Sequence, residues 1–173
     1  DAKDNGKLAI ASHNAVVNIT GSESANVVVK IIRRVHHAKS ESIAIDALAD
    51  WNFEFQHNHN TTRITQTMNE KLHSPIQMVV VYEIQIPLRF NVELSSMDGR
   101  IELTRMTGNA NIEAKDSVVG LIDIEGTVNV GANDSDVNAT HCEGDIRIGC
   151  NDGNIVLDDC DGIVTATNKD GDV

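Results

Sequence analysis

The chain has 173 residues, 14 of them Lys or Arg and 26 Asp or Glu, for a net charge of −12. That balance argues against binding nucleic acid, where affinity comes chiefly from neutralising phosphates, and no apolar run approaches the roughly eighteen residues of a membrane-spanning helix. Aromatics are only 3% of the chain, and all five (Trp51, Phe53, Phe55, Tyr82 and Phe90) precede residue 91. The later residues therefore predict a thin core of Val, Ile, Leu and Ala, without the stacking platforms that sugars and single strands use.

The chain begins at Asp1 without Met, which predicts that a leader or a tag once preceded it. Lys7 to Ser12 (KLAIAS) and Ala15 to Thr20 (AVVNIT) read as two short strands, with Leu8 and Ile10 recurring nine residues on as Val17 and Ile19. Asn26 to Val35 is a longer strand after the turn GSES. In KSESIAIDALADWN, the residues Ile43, Ala47, Leu48 and Trp51 fall at helical spacing, with Ser40 or Ser42 as N-cap. Such a helix could cover an exposed sheet edge. FEFQH and TTRITQTM read as a hairpin joined by NHN; residues 69–75 read as a loop, and 76–87 (IQMVVVYEIQIP) as the most apolar strand.

From Asn91 onward the sequence repeats every nine residues without an insertion: NVELSSMDG, RIELTRMTG, NANIEAKDS, VVGLIDIEG, TVNVGANDS, DVNATHCEG, DIRIGCNDG, NIVLDDCDG, IVTATNKDG, then DV. The second place is always apolar (Val92, Ile101, Ala110, Val119 and onward), as is the fourth (Leu94, Leu103, Ile112, Leu121 and onward), so each unit holds a short alternating strand. The ninth place is Gly, or Ser at 117 and 135, preceded in nearly every unit by Asp or Glu, which is turn chemistry. Odd and even units differ. The seventh place of even units holds Met106, Ile124, Cys142 and Cys160, whereas odd units carry Met97, Lys115, Asn133, Asn151 and Lys169. The sixth place alternates between Ser96, Ala114, Ala132, Cys150, Asn168 and Arg105, Asp123, His141, Asp159. The true period is thus eighteen.

These patterns predict an all-β fold: a right-handed parallel β-solenoid of about 18 residues per coil, two nonads each, with one short N-terminal helix. Residues 1–173 form a single domain in this reading, with initial strands at 1–37, a helix and hairpin excursion at 38–75, and regular coils at 76–173. A coil cannot bury its apolar edge alone, so stacking must supply the stability.

VVYEIQIP at 80–87, LSSMDGRIEL at 94–103, CEGDIRI at 142–148 and CNDGNIVL at 150–157 resemble the strand and DG-x-I-x-L turns of the bacterial putative-adhesin family of unassigned function. The resemblance covers nearly the whole chain. It implies a single-stranded β-helix or β-roll in an exported or envelope-associated protein, hence an extracytoplasmic location, and it implies no catalytic activity. The stop at Val173, two residues into a unit, departs from a complete solenoid and leaves two expectations, a cap further on or an open coil that meets another chain.

Among candidate sites, Asp98, Asp116, Asp134, Asp152 and Asp170 lie eighteen apart and form one expected row, with Glu125, Glu143 and Asp161 on the opposite corner. A calcium ion between coils would relieve such a ladder. Yet calcium rolls use G-G-x-G-x-D-x-U-x, and these units place Asp before a single glycine, so turn-forming aspartates weigh more. The pairs His57 and His59, and His36 and His37, lack a third ligand nearby in sequence and read as solvated loop residues before metal ligands. Cys142 and Cys160 are expected one coil apart as buried free thiols, with Cys150 on the other wall. Cys142 points inward and His141 outward, which defeats a nucleophile pair. No loop is long enough to build a cleft over the repeats, and no phosphate-cradling glycine loop is present.

The resulting expectation is a non-enzymatic envelope or surface protein, an adhesin-like binding or scaffold module with an unknown protein or surface partner and no cofactor. Two alternatives stand beside it: a self-assembling structural solenoid resembling the bactofilins, oligomerising through the open C-terminal coil, and a calcium-stabilised β-roll.

Overall fold

The computed structural model describes residues 6–36, 38–68 and 77–173. Leu8, Ile10, Val17 and Ile19 alternate with polar neighbours along β1 (Lys7–Ser22), one strand where the sequence suggests two. It bends at Asn14, whose φ of 54° is the left-handed region that Asn tolerates. Then come β2 (Val28–His36), α1 (Glu41–Ala49), β3 (Trp51–Asn58), β4 (Thr61–Met68) and β5 (Gln77–Pro87). The expected loop at 69–75, together with Ile76 and His37, lies outside the described residues. The nonads occupy β6 (Asn91–Met106), β7 (Ala110–Asn133), β8 (Asp136–Thr140), β9 (Glu143–Asp152), β10 (Ile155–Asp158) and β11 (Asp161–Asp170).

Among the described residues, the eleven strands belong to one large, open sheet and α1 is the only helix. The nonad strands pair in parallel at the expected offset of eighteen: Val92 faces Ala110, Ile101 faces Val119, Val119 faces Val137, and Val128 faces Ile146. Each apolar column is therefore continuous across repeats, and Val92, Leu94, Ile101, Leu103, Ile112, Val119, Leu121, Val128, Val137 and Ile146 share one buried cluster.

The order of the stack departs from the order of the chain. β6 pairs in parallel with β1 (Leu8 with Val92, Ile19 with Leu103). On its other side β1 pairs in parallel with β4 (Ile10 with Ile64) and β5 (Ile19 with Ile84). The first strand is thus internal, and β4 and β5, which come later in the chain, lie outside it. β2 and β3 run antiparallel along β5 and β4 and finish that end of the stack. The chain crosses back at a corner that β1 vacates after Ser22: Leu88 N–H donates to the Ser22 carbonyl at 3.1 Å, and Thr107 N–H to the Leu88 carbonyl at 2.8 Å. Phe90, 1% exposed, fills this corner.

The helix forms where expected. Ser40 is its N-cap, its hydroxyl accepting from Ile43 N–H. It rests on β2 and β3 through Ala47, leaving Ile43 and Ile45 exposed, so burial holds it only lightly. The expected hairpin is present as β3 and β4, turning at His59 with φ 52°.

Candidate functional site

The two corners of each eighteen-residue repeat are built differently. In odd nonads the left-handed residue is the eighth, at Asp98, Asp116 and Asp134, with φ of 55°, 50° and 50°. In even nonads it is the sixth, at Arg105, Asp123, His141 and Asp159, with φ between 50° and 58°, and the ninth-place glycines Gly126, Gly144 and Gly162 take positive φ as well. Asp, Asn and His enter this region several-fold more often than other side chains, so backbone geometry accounts for Asp98, Asp116 and Asp134 in the aspartate row. At 145–153 and 163–171 the positive φ passes to Gly153 and Gly171 instead. Where the aspartate carries it, the ninth place need not be glycine, and Ser117 and Ser135 stand there, nearly fully buried. They form a ladder: Gly99 N–H donates to Ser117 Oγ, Ser117 N–H to Ser135 Oγ, and each hydroxyl donates to a carbonyl of its own corner.

The carboxylates of the row turn to local partners. Asp98 lies 3.7 Å from His13 Nδ1 and Asp116 4.0 Å from Lys115 Nζ, while Asp134 accepts from Asn133 Nδ2 at 2.5 Å. Asp152 and Asp170 are register partners on the exposed side of β9 and β11. Glu125, Glu143 and Asp161 line up on the opposite corner, also exposed. Among the described residues no three His, Cys, Asp or Glu groups converge.

His57 bonds Thr62 and His59 bonds Asn58, both within the hairpin; His36 ends β2. His141 stands in an exposed column between Asp123, at 3.6 Å, and Asp159, at 3.5 Å. Cys142 faces inward, 1% exposed, away from His141. The three cysteines are free. Burial pushes the Cys142 thiol up to about 11 and raises Cys150 as well, so neither is a thiolate near neutrality.

One feature missed in the sequence is a cleft made by the strands themselves. A groove of about 840 Å³ runs across six stacked strand segments along the fifth, sixth and seventh places of the odd nonads and their equivalents in β1, Ala11 to His13. At about 4.8 Å per strand its five steps span roughly 24 Å. In five of the six segments the sixth-place side chains (Ser12, Ser96, Ala114, Ala132, Cys150) are small and buried, so backbone forms the floor there, and Asn168 holds the place in the last. Fifth-place and seventh-place side chains form the walls, and Gly131 and Gly149 lower one wall. Across those glycines the depression continues into a second one of about 240 Å³ beside Asn111, Asn129, Arg147 and Thr165. The signal was the alternation of small and large sixth-place residues, which the sequence reading used only to fix the period.

Gln66 closes one end of the groove. Its Nε2 donates to the His13 carbonyl and its Oε1 accepts from Tyr82 O–H, each at 2.7 Å. Tyr82 is fully buried, and burial raises its phenol well above the usual range. Phe53 meets its ring edge-on at 6.1 Å.

No family model matches the chain, and no curated protein matches it. Among solved structures it is similar to a crystal structure of a "putative cell adhesion protein" from Clostridium sporogenes, at 11% identity, with a TM-score of 0.46, over 98% of this chain and 94% of that one. A likeness that distant bears on neither activity nor partner.

Proposed function

We propose that this protein is a right-handed parallel β-solenoid acting as a non-enzymatic binding module of the cell envelope or cell surface, with the groove as its contact face. The observation that carries the reading is the composition of the groove. Its floor is small from Ser12 to Cys150, while its fifth-place and seventh-place walls vary along the stack: Ala11 and His13, Ser95 and Met97, Glu113 and Lys115, Gly131 and Asn133, Gly149 and Asn151, Thr167 and Lys169. Fixed geometry with varied chemistry suits recognition of an elongated partner; a reaction would require several groups converging on one point. The raised thiols of Cys142 and Cys150 also weigh against nucleophilic chemistry. The eighteen-residue parallel offset with two corners per repeat supports the solenoid, and the preference of parallel crossovers supports its hand. The placement outside the cytoplasm rests on the sequence resemblance carried by VVYEIQIP and the DG turns.

The test is retention on sedimented cell envelopes by labelled protein and by Gly149→Phe, which fills the groove from an open outward position. The native protein is expected to be retained, and the variant, with an unchanged unfolding temperature, is expected to be washed off. Equal retention of both, or retention of neither, overturns the proposal.

A further inference from the structure

The groove restricts its occupant by shape, by polarity and by charge. Gly149 leaves the fifth place open, since a Cβ there would meet nothing nearer than Thr167 Oγ1, at 3.7 Å, whereas the Glu113 carboxylate lies over Gly131, 2.7 Å from where a Cβ would stand. A polymer backbone can therefore lie directly against the sheet at Gly149, with Glu113 beside it. The wall beside these glycines carries amides, with Asn151 Nδ2 donating to Asn133 Oδ1 at 2.8 Å, and side-chain amides match peptide N–H and C=O groups. Among the described residues no Phe, Tyr or Trp lines the groove to stack on a sugar. Glu113 stands in the wall with Lys115 and Lys169, and the five aspartates of the adjoining corner turn the local balance acidic, in a chain of net charge −12. Lys115 is, moreover, already neighboured by Asp116.

Building on the binding-module reading, we infer that the groove takes an extended, basic peptide segment of a partner protein, its backbone over Gly149 and its cationic side chains toward Glu113 and the aspartate corner. At roughly 3.3 Å per residue, a groove of about 24 Å holds seven or so residues of extended chain.

The experiment titrates the whole chain with three labelled probes: an alternating Lys-Ala octapeptide, its Glu-Ala counterpart, and a neutral chito-oligosaccharide. The Lys-Ala peptide is expected to bind and the Glu-Ala peptide not to. Binding should fall about tenfold or more between low and high salt. It should fall by a similar factor in Gly149→Phe, and in the triple variant Asp116→Asn, Asp134→Asn, Asp152→Asn, whose side chains keep the corner conformation. Ser95→Trp, nearer the other end of the groove, repeats the blocking test should Gly149→Phe lower the unfolding temperature. Lys-Ala binding that survives both blocking variants overturns the inference, because it is then attraction to the acidic surface at large. Oligosaccharide binding lost on blocking leaves the binding module standing and removes the peptide. If no probe is sensitive to blocking, both fall.

Discussion

Gly144 and Gly149 stand five residues apart in β9 and answer to different constraints. Gly144 has φ of 129°, and a Cβ there would sit 2.2 Å from the carbonyl oxygen of Gly126 in the repeat below. Gly149 has no such restriction. Gly144→Ala is expected to cost about 2–4 kcal/mol, from backbone strain together with a clash that no side chain can relieve, and Gly149→Ala to change stability by less than about 0.5 kcal/mol. Denaturant midpoints measure both; equal effects would place the strain elsewhere. Cys142 gives a second prediction. Its thiol rises from 9.0 in an open chain to about 11 when folded, because burial disfavours the thiolate. Below pH 9 both states keep the proton, and stability is at its full value. As pH rises from 9 toward 11 the unfolded chain ionises first, so stability falls with pH. Buried Tyr82 shifts in the same direction and adds to the loss above its ordinary value of 10.0. Cys142→Ala should flatten the decline over this interval, and an unchanged slope would rule out the thiol as a contributor.

Among the elements, the serine ladder has the clearest energetic content. Ser135 Oγ accepts from buried Ser117 N–H at 3.0 Å and donates to the Asn133 carbonyl at 2.8 Å, so it links two repeats where the corner interrupts the backbone ladder. Ser135→Ala leaves that N–H without its acceptor and is expected to cost about 1–3 kcal/mol, read from the urea midpoint; an effect below about 0.5 kcal/mol would mean that another acceptor takes over. The strands themselves were legible because alternating side chains at a fixed period admit few alternatives. Ile101, Val119 and Val137 fall eighteen apart in sequence and adjacent in the sheet. The helix was legible from Ser40 and the hairpin from FEFQH and TTRITQTM. The corner types were not. Asp-Gly predicts a turn without saying which residue takes positive φ, and the sequence gives no local warning that Arg105, rather than an Asp or Asn, would occupy the left-handed place in its unit. The serines at 117 and 135 looked like replacements for glycine, whereas they mark corners where the preceding aspartate has already made the turn.

At the scale of the molecule, the least legible feature is that β1 lies inside the stack. Its alternation fits any neighbour of the same pattern, and the partners that fix its place, β4 at one side and β6 at the other, are far away in sequence. What settles the arrangement is the corner where Leu88 and Phe90 cross beside Ser22 and Gly6, a contact with no periodic signature. The groove shares this origin, since its floor brings together residues from Ser12 to Cys150 that only stacking makes adjacent. An internal first strand has a dynamic consequence. Leu8, Val17 and Ile19 are almost wholly buried, and β1 is hydrogen-bonded along both edges. β3, by contrast, pairs only with β4 and exposes Phe55. Each β1 amide donates to a neighbour on one side, and separating β1 from either neighbour splits the stack through its interior, whereas β3 amides can exchange by release of one edge hairpin. Hydrogen exchange is therefore expected to rank Val17 and Ile19 with Ile101 and Leu103 in the slowest class, at the free energy of global unfolding, and Phe53 and Phe55 in a faster one. If the β1 amides exchange as fast as those of β3, the first strand is not held between β6 and the β4–β5 pair, and the stacking order described above is wrong.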